Sequence, residues 1–92
     1  MAHSVLEAAG LTPAWIEERK EIDRAVDVAR ARFHVHWRSD PAQAEADFRE
    51  VAARLNRRIL AYNLHVPAGG FQRTQVDVAW EIERAAIPYD SR

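Results

Sequence analysis

The sequence predicts an all-α domain built on a long antiparallel helical hairpin, with short helices near both ends of the chain capping the hairpin's base. Three observations carry this. Apolar residues recur at helical spacing through residues 13–37 and 41–63, and neither stretch contains Gly or Pro after its first position. Each stretch opens on a proline preceded by a side chain that caps well, Thr12-Pro13 and Asp40-Pro41. The link Arg38-Ser39-Asp40 is so short that it forces the two helices to run antiparallel.

Taken in order, residues 4–9 read as a short helix with Ser4 as cap, Gly10 as stop and Val5, Leu6 and Ala9 as its docking face. The first long helix, 13–37, carries the stripe Trp15, Ile22, Val26, Ala29, Phe33 and Trp37. Its other faces hold charge pairs at helical spacing: Glu17 with Lys20, Arg19 with Asp23, Glu21 with Arg24, and Asp27 with Arg30. Residues 32–38 alternate as a strand would, but no second segment offers to pair with them, so they are expected to stay helical. The second long helix, 41–63, carries Ala44, Phe48, Val51, Leu55, Ile59 and Tyr62. Counting back from the turn sets Asn63 near Trp15 and Asn56 near Glu21 and Ile22. Two amides seven residues apart share a helix face, and on the flank of a core each needs a polar partner.

The base of the hairpin must then receive both ends of the chain. Residues 64–73, with Pro67 and the Gly69-Gly70 pair, read as a loop. Thr74-Gln75-Val76-Asp77 resembles a capping box, which opens a final helix over 74–87 with Val76, Trp80, Ala79 or Glu83, and Ile87 along one side. Trp80 is placed to cover Leu60 and Leu64. Pro88 ends that helix, and 88–92 is a tail.

Composition narrows the function. Ninety-two residues with 48% hydrophobic content suit one domain, at a size where a partner is a useful source of further burial. Thirteen Lys+Arg against fourteen Asp+Glu leave a formal charge of -1, which gives no long-range pull on nucleic acid or an anionic membrane. There is no Cys, hence no disulfide and no thiolate metal site. No apolar run reaches the roughly 18 residues of a membrane span and no signal layout is present, so the expected location is cytoplasmic.

Candidate chemistry is sparse. His34 and His36 point about 200° apart on a helix and do not converge on a metal. His65 has no nucleophile arranged beside it. Glu17, Glu18 and Glu21 cluster without the Glu-x-x-His steps of a di-metal bundle and read as a solvated face. Arg49, Arg57 and Arg58, with Arg19 and Lys20 opposite, form a potential phosphate patch whose charge the nearby glutamates can consume. No catalytic residue, cofactor or metal site is therefore assigned. A second apolar line, Val28, Ala31 and Val35, lies off the main stripe toward the hairpin tip, beyond the reach of a cap at the base; such a patch marks a protein contact.

Leu6-x-x-Ala9-Gly10-x-x-Pro13-x-Trp15-Ile16-Glu17-x-x-Lys20-Glu21-Ile22, then Leu55-Asn56-x-Arg58-Ile59-x-x-Tyr62-Asn63-Leu64-x-Val66-Pro67 and Phe71-Gln72-Arg73, resembles the DnaJ homologue subfamily C member 28 conserved domain. That domain occurs alone in many bacterial proteins and behind a J domain in some eukaryotic ones, and it has no established activity. The resemblance implies that Trp15, Lys20, Glu21, Asn56, Arg58, Tyr62, Asn63 and Pro67 are a structural signature. Lys20 and Glu21 are expected to join Asn56 in a polar network at the hairpin base. Two departures stand out: many members carry a Gly-, Pro- and Asp-rich segment ahead of the short helix, which is not found before Val5, and the His-Pro-Asp tripeptide of a J domain is absent. Stimulation of an Hsp70 ATPase is not expected. The function anticipated is a non-catalytic protein–protein interaction or assembly module, within a larger complex or in chaperone-associated work, with a protein partner or a second copy. Nucleic-acid or ribonucleoprotein binding through Arg49, Arg57 and Arg58 is the alternative.

Overall fold

The computed structural model of the protein describes residues 12–67 and 71–87; the expected helix at 4–9 and the tail at 88–92 lie outside them. Three helices are formed, α1 (Pro13–Trp37), α2 (Pro41–His65) and α3 (Val78–Ala86), with no strand among the described residues. The alternating stretch at 32–38 is helical to Trp37, as expected of a strand-like pattern without a partner.

Both long helices start where the Pro-preceding caps put them. Thr12 Oγ1 accepts from the Trp15 N–H at 3.4 Å, and Asp40 Oδ1 accepts from the Gln43 N–H at 3.1 Å. The helices pack antiparallel along their length, stapled near the base by Tyr62 edge-on to Trp15 at 6.0 Å and near the tip by Phe33 stacked on Phe48 at 4.5 Å. The register read from the turn, with the end of α2 beside Trp15, is present. α2 runs two residues past the expected stop. His65 Nδ1 donates to the Ala61 carbonyl at 2.9 Å and its ring stacks on Trp15 at 4.6 Å, which satisfies the last turn before Pro67 prevents continuation.

Two helices alone enclose no interior, so the third wall matters. The lower core gathers Ile16, Ile22, Val26, Leu55, Ile59, Tyr62 and Val66. The upper core gathers Phe33, Ala44 and Phe48. Phe71 packs on the lower cluster, Val78, Ile82 and Ala85 on the upper one, and Ala29 and Val76 on both. The chain after α2 therefore climbs from base to tip along one face of the hairpin instead of staying at the base.

Two expectations about this last segment are corrected. The helix opens at Val78, with Asp77 Oδ1 accepting from the Trp80 N–H at 3.1 Å, and not at Thr74. Thr74 does not open a helix because the backbone of Arg73 and Val76 is spent on two asparagine side chains, which hold it extended. Trp80 does not cover Leu60 and Leu64: it is half exposed, and Leu64 is 83% exposed. Seen from α3, the buried side is Val78, Glu81, Ile82 and Ala85, so Trp80 and Ile87 fall outside it.

Candidate interaction surface and the polar clamp behind it

The polar residues of the hairpin base hold the climbing segment. Asn63 Nδ2 donates to the Arg73 carbonyl at 2.9 Å and its Oδ1 accepts from the Arg73 N–H at 2.8 Å. Asn56 repeats the arrangement on Val76, at 3.1 and 2.7 Å. The spacings explain why seven residues on one element match three on the other. Seven helical residues rise about 10.5 Å, and three extended residues advance about 10 Å. Each amide thus reads both backbone groups of one residue, which leaves little freedom in register.

Below this clamp, Arg19 Nη1 and Tyr62 Oη both donate to the Phe71 carbonyl, at 2.9 and 3.1 Å. Asp23 Oδ1 accepts from Arg19 Nε at 3.2 Å and from Arg73 Nε at 3.0 Å. Burial works against the Arg19 charge, but the Tyr62 hydroxyl and the Asp23 carboxylate together raise its pKa above the ordinary value. Lys20 and Glu21 take no part in this network, contrary to expectation: Lys20 pairs with Glu17 at 3.5 Å and Glu21 with Arg24, both on the surface. One residue's rotation around α1 separates Lys20 from Arg19, and Arg19 is on the side where the segment passes. Arg58 instead grips Glu18 from the opposite helix with two bonds, 2.6 and 2.9 Å. The Arg58 hydrogen bonds and charge outweigh burial and hold the Glu18 carboxyl below the usual carboxylate value. Pro67 follows the C-cap of α2, where it terminates the helix.

A second polar group was not foreseen. Glu81 is 3% exposed on the apolar face of α3. Its Oε2 accepts from His34 Nε2 at 2.9 Å, and Arg30 Nε lies 2.7 Å from its Oε1. That Nε has no aligned hydrogen bond, so the Arg30 contact is ionic. Arg30 is thus drawn to Glu81 and not to Asp27, the partner its spacing suggested. A visible signal existed: Glu81 sits between Val78, Ile82 and Ala85, where helical spacing turns it inward.

The opposite face of the hairpin has no covering among the described residues. A groove of about 560 Å³ runs between α1 and α2, floored by Ala25, Phe33, Phe48, Val51 and Leu55 and edged by Val28. Glu21, Arg24, Arg32 and His36 stand on its α1 wall, and Asp47 and Arg58 on its α2 wall. Val28 is 46% and Val35 66% exposed. The line Val28, Ala31, Val35 is exposed but does not share one concavity: Val28 borders the groove, while Ala31 borders a polar cleft of about 310 Å³ with Asp27, Arg30, His34 and Arg84.

The proposed phosphate patch is largely neutralised. Arg49 pairs with Glu45 at 3.1 Å, Arg58 with Glu18 and Lys20 with Glu17, while Arg19 is engaged inside. His36 lies 3.8 Å from Asp47 across the hairpin tip, on the other side of α1 from His34. Among the described residues no group of three His, Cys, Asp or Glu is placed to hold a metal ion, and no helix is long and apolar enough to cross a membrane. Searches against protein-family models, curated proteins and solved structures found no match.

Proposed function

We propose that this domain is a non-catalytic protein–protein interaction or assembly module that docks its partner on the open face of the hairpin. One observation carries the reading: the groove floor is made of the same aromatic and aliphatic residues that form the core, with Val28 exposed along its edge. Concave apolar surface rimmed by charge is what a helix-binding face needs. The polar residues elsewhere are engaged in holding the chain together, which favours a structural role for Asn56, Asn63, Tyr62 and Arg58 over a chemical one. The motif resemblance to the DnaJ homologue subfamily C member 28 conserved domain supports chaperone-associated work or a place in a larger complex, and the setting proposed is the cytoplasm.

Affinity capture with tagged wild type and Val28→Asp/Val35→Asp, with folding checked by circular dichroism, tests the proposal. Partners recovered by the wild type are expected to be lost from the folded variant; equal recovery overturns the reading. Nucleic-acid binding is the alternative, with Arg57 as its least committed residue. A salt series on mixed RNA and DNA is expected to show no binding even at low salt. Salt-sensitive binding that Arg57→Ala weakens would establish that alternative instead.

A further inference from the structure

We infer that α3 is a strap that opens on its own while the rest of the fold stays in place, hinged between Val76 and Asp77 and latched shut by Glu81. The inference is independent of the docking face proposed above, since it concerns the walled side of the hairpin.

The segment after α2 is held in two tiers of different kind. The lower tier, 71–76, is fastened by its backbone: the Phe71 carbonyl accepts from Arg19 and Tyr62, and the N–H and C=O of Arg73 and Val76 are taken by Asn63 and Asn56. Arg73 adds its own bond to Asp23, and the Val76 side chain packs on both halves of the core. Past Val76 the pattern changes. Asp77 caps α3 from within, its carbonyl accepting from the Glu81 N–H at 3.1 Å and its Oδ1 from the Trp80 N–H. α3 and its cap thus form one self-contained unit. Among the described residues, the hydrogen bonds and ion pairs that join this unit to the long helices pass through Glu81.

The attachment of that unit is slight. Nine residues are too few for a helix to stand alone in water, so α3 depends on its docking. Its apolar contact is Val78, Ile82 and Ala85, all only half-buried, and its one fully buried residue is a carboxylate. Burying a carboxylate is costly unless its partners compensate. Arg30 and His34 do so only in part: Arg30 Nε makes no aligned hydrogen bond, and both side chains stand partly in solvent beside the polar cleft that Arg84 and Asp27 also line. The long helices, by contrast, enclose Ile16, Ile22, Ile59 and Tyr62 almost completely. Releasing α3 gives up a small apolar contact and returns Glu81 to water, whereas parting the long helices gives up the core. In the open state Phe33, Ala44 and Phe48 lose the cover of Val78, Ile82 and Ala85, so the hairpin tip presents apolar surface on the side that is walled at rest.

Hydrogen exchange of individual amides on the full chain tests the strap. The N–H groups of Ile82 to Ala85 are expected to share one opening equilibrium, to be about a hundredfold less protected than those of Ala52 and Leu55, and to respond little to low urea, which speeds the α2 amides steeply. Ile59→Val weakens the long-helix core, which strap opening leaves intact. It is expected to speed exchange at Ala52 and Leu55 several-fold and to leave α3 unchanged. Glu81→Gln keeps the shape of the latch and removes its charge, and is expected to speed α3 exchange about tenfold or more. α3 amides that follow those of α2 in urea and in Ile59→Val overturn the strap, since α3 then opens only with the whole fold. Protection that increases steadily inward from Ala86 also overturns it, because the helix then frays from its end. Unchanged α3 exchange in Glu81→Gln overturns the latch.

Discussion

Asn56 and Asn63 each satisfy a backbone N–H and a backbone C=O on the segment they hold, so truncating either leaves two polar groups at a partly buried site without partners. Asn63→Ala is expected to cost about 2 kcal/mol in urea unfolding, with Asn56→Ala similar. Because both act on one segment, the double variant should lose less than the sum, a coupling that a double-mutant cycle reads directly. Glu81 is a sharper case, since it is a carboxylate inside the apolar contact of α3. Arg30→Leu leaves it with His34 alone and is expected to destabilise by about 3 kcal/mol, whereas Arg30→Leu/Glu81→Leu should recover most of that loss, because the pair's desolvation cost disappears with it. Thermal unfolding of the two variants side by side checks the order.

At the scale of elements, the long helices were legible because their signals are local. Caps, first-turn prolines and a stripe of Ile22, Val26 and Phe33 against Phe48, Leu55 and Ile59 are all written within a few turns of where they act. The segment after α2 was less legible because it is set by tertiary bonding. Thr74-Gln75-Val76-Asp77 looks like a helix start, yet Asn56, twenty residues back, takes the backbone of Val76 and delays the helix to Val78, with Asp77 as its cap. The amides announced that something polar would pack beside them; their partner being another segment's backbone was not readable from spacing. The same applies to Arg19, Asp23 and Arg73, whose shared bonds appear only when the segment is in place. The cross-hairpin pair of Glu18 and Arg58 is also an element-scale contact. Its carboxyl titrates below the ordinary value in the folded chain, so its contribution is present above the unfolded value and is lost as pH falls through the folded one. Acid titration of wild type should therefore lose more stability across and below the usual carboxylate range than Arg58→Met does, and equal loss would remove the pair from the account.

For the molecule as a whole, the decisive asymmetry is that, among the described residues, one face of the hairpin is walled and the other is not. Residues 71–87 add Phe71, Val76, Val78, Ile82 and Ala85 to a contact that two helices cannot close by themselves. The sequence pointed to exposed apolar positions at Val28 and Val35, but it did not reveal the groove, because the groove's floor is made of core residues and its existence depends on which face the last segment chooses. The absence of Cys makes that asymmetry directly measurable by thiol labelling of single-cysteine variants. Val28→Cys, on the edge of the open face, is predicted to react in the dilute folded chain at nearly the rate of a free thiol. Ala52→Cys, fully buried in the native chain, is predicted to react only through global unfolding. A Val28 thiol as protected as the Ala52 thiol, at concentrations where the chain is monomeric, would contradict the account.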